Sequence, residues 1–251
     1  MHISVNKIIF FIGLAVFASL EIINWQPRYI YWLSSLFLVL LLVVVWLALI
    51  NCRPVYKLMV WLIPAVNFLA WSSFLTIINN SVVRQILIVA TVIVQLAYWW
   101  RGWPVWLSHN KPAAWWRLVN ALNLLTVWLV AASLYGWQSF LAWPILWAWL
   151  LWLAVSGLIL WFDYQISNLS PLSHWPIILS KWLIGGQLFL AIYFLPSSNL
   201  VQAYLMLVAY YIASQIGRGS LLKINTIRRL RYQFLILAIS LLLVLLTAKW
   251  F

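Results

Sequence analysis

The stretch that decides the fold is residues 29–50, YIYWLSSLFLVLLLVVVWLALI, a run of 22 residues without a charged side chain. A helix needs about 20 predominantly apolar residues to cross the hydrocarbon core of a bilayer, and this run is long enough. A soluble core cannot absorb such runs repeatedly, because too little polar surface would remain to face water. The run therefore predicts a transmembrane helix.

Similar runs recur from one end of the chain to the other. The chain is 67% hydrophobic and only 7% charged, whereas about a quarter of the residues in a soluble domain are charged. Its 21 Trp and 11 Tyr also suit the two headgroup levels of a membrane. The sequence predicts an all-α, polytopic transmembrane helix bundle, a single domain over residues 1–251. We expect about nine spans, at residues 7–24, 29–50, 57–78, 82–100, 117–135, 140–162, 177–195, 199–216 and 232–250.

The Lys and Arg residues predict the orientation of these spans. With the N-terminus in the cytoplasm, twelve of the fifteen cations fall on the inner side and only Arg28, Arg84 and Lys249 on the outer side. This positive-inside bias predicts a cytoplasmic N-terminus and an outside C-terminus, which requires an odd number of spans. The expected location is the bacterial cytoplasmic (inner) membrane, with an organelle membrane as the alternative.

A short internal match suggests a duplication. Residues 61–63 and 68–70 recur as 182–184 and 189–191 at a constant offset. Residues 29–135 would then repeat as 140–250 in the same orientation, an arrangement found in some transporter folds. A chance match is the alternative in a chain so rich in Leu, Trp, Ile and Ala.

The net charge of +13 points to lipid as the partner, and not to nucleic acid. The cations lie between apolar runs. A Lys or Arg near an anionic leaflet contributes about 1 kcal/mol to the free energy of membrane attraction. We expect anionic headgroups on the cytoplasmic side as the counter-charge. For the polybasic residues 217–231, ordinary topology-setting charge is the preferred interpretation, and a site for anionic lipid is the alternative. The Trp-rich residues 98–116 look like an interfacial loop. The candidate lipid-contacting residues are Arg101, Lys111, Arg117, Arg218, Lys223, Arg228, Arg229 and Arg231.

Glu21 and Asp163 are the only acidic residues, and ionisable groups inside membranes are candidates for function by default. Glu21 lies near the outer end of the first span. We expect it to pair with Arg28, and the alternative is a proton or cation site. Asp163 ends the sixth span close to His174 and Lys181. An interfacial salt bridge or hydrogen bond is expected there, and a catalytic acid would need a partner that the sequence does not offer.

Polar residues inside the spans are the remaining candidates. Such side chains commonly hydrogen-bond between membrane helices, and the alternative is a path for a neutral solute. Gly185 and Gly186 should allow close helix approach, and Pro64 should bend its helix. The polar candidates are Asn67, Gln95, Asn120, Asn123, Thr126 and Gln187.

Absent motifs limit the function. One Cys and three His show no metal-binding spacing, and no nucleotide-binding or hydrolase motif is present. We therefore predict no metal, cofactor or catalytic residue. The leading hypothesis is a non-catalytic scaffold, assembly factor or complex subunit with membrane-protein partners. The alternatives are a small transporter or permease for a neutral, anionic or lipidic solute, and an integral membrane enzyme that acts on a lipid-linked substrate.

Overall fold

The apolar runs form helices in the computed structural model of the protein, which describes residues 5–48, 54–108, 113–166 and 175–222, with isolated positions at 235, 238, 239 and 242. Within these residues all regular structure is helical, which confirms the all-α class. The elements are α1 (Val5–Trp25), a 3-10 turn (Pro27–Tyr29), α2 (Ile30–Ala48), α3 (Pro54–Leu75), α4 (Ser81–Ser108), α5 (Ala113–Leu141), α6 (Ile145–Ile166), α7 (Trp175–Tyr193) and α8 (Asn199–Leu222).

Five stretches of these helices are long and apolar enough to cross a membrane, as a membrane protein requires. Two shorter apolar helical stretches, Trp32–Val43 and Trp61–Leu75, lie in α2 and α3. The count of nine spans and their orientation stay predictions. The ninth predicted span and the end of the predicted repeat lie almost wholly outside the described residues. The five long stretches are Lys7–Trp25, Ser81–Gly102, Arg117–Leu141, Ile145–Tyr164 and Trp175–Tyr193.

The Trp-rich stretch predicted as a loop is mostly helical. α4 continues to Ser108 and α5 begins at Ala113, so only residues 109–112 between them lie outside the described helices. The sequence placed the end of the fourth span near residue 100 because the hydropathy falls there. Hydropathy marks where a helix leaves an apolar environment, whereas the end of a helix depends on its backbone hydrogen bonds.

Polar side chains satisfy the helix ends. Asn80 Oδ1 accepts hydrogen bonds from the backbone N–H groups of Val82 (3.0 Å) and Val83 (3.1 Å), and so caps the N-terminus of α4. Gln202 on α8 donates to the carbonyls of Tyr193 (3.2 Å) and Leu195 (3.0 Å), which lie at and just beyond the end of α7. These bonds pair backbone groups that the helix itself leaves without a partner.

The helices gather in two compact units, Met1–Thr126 and Val127–Phe251. In the first unit, α1 packs along α4 and α2 packs on α3. A Cβ atom on Gly13 of α1 would lie 2.6 Å from Leu96 Cδ2 of α4, so the close approach of these two helices needs a glycine. Between α2 and α3, the rings of Phe37 and Phe68 lie 4.1 Å apart.

In the second unit, α6 and α7 are joined by tryptophans that donate to backbone carbonyls. The indole N–H groups of Trp149 and Trp152 on α6 donate to the carbonyls of Gly186 (3.1 Å) and Gly185 (3.2 Å) on α7. In the opposite direction, Trp182 on α7 donates to the carbonyl of Leu153 on α6 (2.7 Å). A helical carbonyl has a second lone pair for such a donor. We call these three hydrogen bonds the indole ladder.

Stacked rings bring α5 against the same part of α7. The Phe189 ring lies parallel to Tyr135 of α5, with ring centroids 4.6 Å apart, and nearly parallel to Trp152 of α6, with centroids 5.3 Å apart. The hydroxyl of Tyr135 also donates to the carbonyl of Phe189 (3.0 Å). Phe189 is therefore held between two aromatic rings and fixes three helices of the second unit together.

Both faces of α4 carry apolar side chains. Its exposed face has Val82, Ile86, Val89 and Ile93, which follow one another at helical spacing. Its buried residues include Ile88, Tyr98 and Trp99 together with the polar Thr91 and Gln95. A surface helix of a water-soluble protein instead has a polar face opposite its apolar stripe.

The indole ladder gives a prediction for the adjacent glycines. A Cβ on Gly186 would lie 2.7 Å from Leu153 Cδ2, whereas a Cβ on Gly185 would meet no atom within 4 Å. We expect Gly186→Leu to lower the free energy of unfolding by about 1–3 kcal/mol, because it overpacks the α6–α7 contact. The matched variant Gly185→Leu should change it by less than about 0.5 kcal/mol. Denaturation of both variants in the same detergent measures the difference, and equal losses would contradict this packing.

Candidate functional site

Three polar side chains meet in the first unit. The side-chain amide of Gln95 on α4 donates to Asn67 Oδ1 on α3 (3.1 Å) and to the carbonyl of Pro64 (3.2 Å). The Asn67 amide donates in turn to Thr126 Oγ1 on α5 (2.8 Å). The Thr126 hydroxyl donates to the carbonyl of Leu122 (2.8 Å). We call Asn67, Gln95 and Thr126 the amide network; its hydrogen bonds tie α3, α4 and α5 together.

Burial makes the amide network energetically important. Asn67, Gln95 and Thr126 are 1%, 2% and 3% exposed. A buried amide without partners costs about 1–3 kcal/mol, whereas hydrogen-bonded neighbours in a low dielectric strengthen one another. The chain of donors runs from Gln95 through Asn67 to the Thr126 hydroxyl, and it ends on a backbone carbonyl. These hydrogen bonds therefore hold α3, α4 and α5 together.

The other predicted polar residues lie around or away from this network. Asn123 is buried on the same helix as Thr126, and Asn120 one turn earlier is half-buried; each makes an interaction of its own. Gln187 is exposed on α7, which belongs to the second unit. The structure therefore brings together Asn67, Gln95 and Thr126, and it places Asn120 and Asn123 on the helix of Thr126.

Glu21 lies at a second polar contact, between the end of α1 and the start of α4. Its Oε2 accepts a hydrogen bond from the amide of Gln85 (3.2 Å). One turn further along α1, Asn24 Oδ1 accepts from Arg84 Nη1 (3.2 Å), and Arg84 Nε donates to the carbonyl of Ile78. Polar side chains of α1 are thus paired with two consecutive residues of α4.

The expected pairing of Glu21 with Arg28 is replaced by these contacts. Arg28 Nη2 donates instead to Gln26 Oε1 (3.1 Å) and to the hydroxyl of Tyr29 (3.2 Å). A spacing of seven residues would place Glu21 and Arg28 on one face of a continuous helix. However, α1 ends at Trp25 and the 3-10 turn Pro27–Tyr29 follows, so Arg28 leaves that face.

A cleft of about 590 Å³ opens beside Glu21. We call it the α1 cleft; it is lined by Phe17, Glu21, Ile22, Trp25 and Gln26. The Glu21 carboxylate is half-buried, while Trp25 is among the most exposed side chains of the described residues. The cleft thus combines one carboxylate with a mainly apolar wall.

Asp163 lies in a buried position near the end of α6. It is 7% exposed and has an interaction partner. Its neighbour Tyr164 accepts a hydrogen bond from Lys181 Nζ of α7 (2.8 Å), and the same ammonium lies 5.0 Å from the Tyr164 ring centroid. These contacts place Lys181 against Tyr164, and the expected interfacial salt bridge or hydrogen bond of Asp163 stays a prediction. His174, the other expected neighbour, lies outside the described residues.

The candidate lipid-contacting cations are described only in part. Arg101 on α4 and Arg117 on α5 are exposed. Arg218 belongs to α8, but its side chain lies outside the described residues. Contact with anionic headgroups stays a prediction for the whole set. The positions that lie outside the described residues entirely are Lys111, Lys223, Arg228, Arg229 and Arg231.

Sequence reasoning missed the indole ladder and one buried amide. Trp149 and Trp152 were interpreted as part of a general tryptophan richness. Their spacing of three residues, which places both on one helical face, was the signal that could have found them. Gln138 on α5 is 8% exposed, and neither polar atom of its side chain has a hydrogen-bond partner among the described residues. The predicted spans place Gln95 within residues 82–100 but leave Gln138 in the turn between residues 135 and 140, whereas α5 continues to Leu141 and includes it.

No protein-family model matches this chain, and neither the curated proteins nor the solved structures include a match to it. Function must therefore be argued from the helices, the amide network and the α1 cleft themselves.

Two buried glutamines with opposite surroundings give a matched test. Gln95→Met should lower the free energy of unfolding by about 1 kcal/mol, because Asn67 Oδ1 loses its donor inside the bundle. Gln138→Met should raise it by about 1–3 kcal/mol, since it removes an amide that has no partner. Thermal unfolding of both variants in one detergent measures the two effects. A loss of stability in Gln138→Met would show that this amide has a partner in solution.

Proposed function

We propose that this chain is a multi-pass integral membrane protein with a structural role. It acts as a non-catalytic scaffold, assembly factor or complex subunit through contacts with lipid and with other membrane proteins. The observation that carries this proposal is the number of large aliphatic and aromatic side chains that the described helices expose, while amides and hydroxyls such as those of Asn67, Gln95 and Thr126 are buried.

The exposed apolar surface is extensive on the described helices. α2 exposes Trp32, Leu36 and Val39, with Trp32 78% exposed, and α4 exposes the aliphatic face described above. A monomeric soluble protein rarely exposes contiguous apolar patches beyond a few hundred Å². Hydrocarbon or the apolar face of a partner helix covers such a surface without a free-energy penalty, which supports a membrane location.

Packing of the polar side chains favours a scaffold over a permease. A solute path needs polar groups that face an open space. Asn67, Gln95 and Thr126 instead use one another as hydrogen-bond partners and are almost completely buried. The hydrogen bonds of Asn67, Gln95 and Thr126 therefore support a role as contacts between helices.

The two acids give little support for an enzyme. General acid–base catalysis needs a titratable group within hydrogen-bond reach of the substrate. Asp163 is buried and already has a partner, and Glu21 accepts a hydrogen bond from an amide. Neither is paired with a nucleophile in the contacts described above. A role in holding helices and lipid suits both environments better.

The orientation belongs to the proposal as well. We place the N-terminus in the cytoplasm of a bacterium and the C-terminus outside its inner membrane, with nine spans. Reporter fusions test this arrangement: those after residues 52, 110, 170 and 224 should report the cytoplasm, and those after residues 80, 137 and 198 the outside. Outside signals after residues 110 and 224 would contradict the orientation.

The structural role has its own test. The protein extracted from native membranes in a mild detergent should migrate in a native gel as part of a larger complex. Mass spectrometry of that band should identify the same membrane-protein partners in repeated preparations. A chain that migrates alone, and that transports a solute when purified and reconstituted into liposomes, would overturn the scaffold in favour of the permease.

A further inference from the structure

The α1 cleft carries a charge arrangement that the structural role does not explain. Glu21 is one of two acidic residues in a chain with fifteen Lys and Arg, yet it is hydrogen-bonded to the neutral amide of Gln85. Arg28 is outside the lining, but its guanidinium donates to Gln26, which is a lining residue. A carboxylate therefore lines the cleft, a guanidinium is one hydrogen bond away from that lining, and each is held by an amide side chain.

Both groups keep capacity for a ligand. A carboxylate can accept about four hydrogen bonds, and Gln85 supplies one to Glu21. A guanidinium has five N–H donors in a planar fork that suits phosphate oxygens. The remaining wall is apolar, with Phe17, Ile22 and the exposed ring of Trp25. The volume of about 590 Å³ falls in the range of roughly 300–1,000 Å³ that is usual for small-molecule sites.

We propose that the α1 cleft binds the headgroup of a phospholipid that carries a primary ammonium group, as phosphatidylethanolamine does. Glu21 accepts hydrogen bonds from the ammonium, and Arg28 donates to the phosphate. Phe17, Ile22 and Trp25 contact the glycerol and the upper part of the acyl chains. This proposal rests on the membrane location proposed above and names the class of lipid that this cleft prefers.

The carboxylate decides which headgroup fits. An anionic lipid is attracted by the many cations of the chain, but in this cleft the Glu21 carboxylate would repel its negative charge. A quaternary ammonium has the right charge but no N–H to donate. A primary ammonium has three N–H donors and the opposite charge, so both the donor and the acceptor are ionised in its hydrogen bonds with the carboxylate. Trp25 also suits the headgroup level of a membrane, where aromatic rings collect.

Native mass spectrometry of the full-length protein in detergent tests the proposal. The protein is titrated separately with phosphatidylethanolamine, phosphatidylcholine and phosphatidylglycerol of the same acyl chains. We expect wild-type protein to retain phosphatidylethanolamine about tenfold more strongly than phosphatidylcholine, which corresponds to a charge-assisted hydrogen bond. Glu21→Gln should abolish this preference, because the amide is close in shape but uncharged.

A second pair of variants distinguishes lipid binding in the cleft from a general effect of the net charge of the protein. Arg28→Gln should weaken the binding of phosphatidylethanolamine and phosphatidylcholine alike, since both carry the phosphate. Lys7→Gln removes an equal charge from an exposed site near the other end of α1, outside the cleft lining, and it should leave both affinities unchanged. Equal losses in Arg28→Gln and Lys7→Gln would assign the effect to net charge and overturn the proposal.

The remaining outcomes are equally decisive. Equal retention of all three lipids, stronger retention of phosphatidylglycerol, or an unchanged preference in Glu21→Gln would each overturn the headgroup assignment. If the protein still needs detergent for extraction from membranes, those results leave the proposed membrane scaffold in place. Release of the chain from membranes by alkaline carbonate would instead contradict the proposed membrane location, and it would contradict the lipid site as well.

Discussion

The need to give every polar group a partner inside the protein shapes this structure more than any other constraint. Helices provide that partner for most backbone groups. Several buried polar side chains follow the same rule, because an apolar environment offers no water in exchange. Gln138 is an exception, with no hydrogen-bond partner among the described residues. Asn67 and Gln95 bond to each other, Thr126 bonds to a carbonyl of its own helix, and Gln202 pairs with backbone carbonyls at the end of α7.

The two units meet this constraint by different chemistry. In the first unit, helices are joined through side-chain amides that act as donor and acceptor together. In the second unit, tryptophan N–H groups donate to carbonyls that already belong to helices, and stacked rings fill the space between them. An amide fixes the rotation of both helices that it joins. An indole instead requires close approach, which explains why Gly186 lies where a Cβ would meet Leu153.

The sequence was sufficient to predict the helical class and the types of residue that would be buried. It was insufficient to predict which of the polar side chains form hydrogen bonds with one another. Apolar runs predict helices because hydropathy is a property of a segment. Whether Glu21 faces Arg28 or Gln85 depends on where α1 ends and on which helix packs against it. Neither of these two features can be read from the hydropathy of a single segment. The same limit applies to Gln95 and Gln138, two glutamines within apolar helices. One lies opposite Asn67, and the other has no partner among the described residues.

The distribution of satisfied polar groups also indicates where this protein meets other molecules. In the first unit, the mid-helix amides are occupied by each other, so they have little to offer a ligand. Glu21 lines an open cleft near the end of α1 and keeps unused hydrogen-bonding capacity, and Arg28 donates to Gln26 of the same lining. A transporter or an enzyme would be expected to keep unoccupied polar groups around a central site. Amides that occupy one another beneath an apolar exterior suit a protein that works by contact, with lipid at the helix ends and with other helices along their exposed faces.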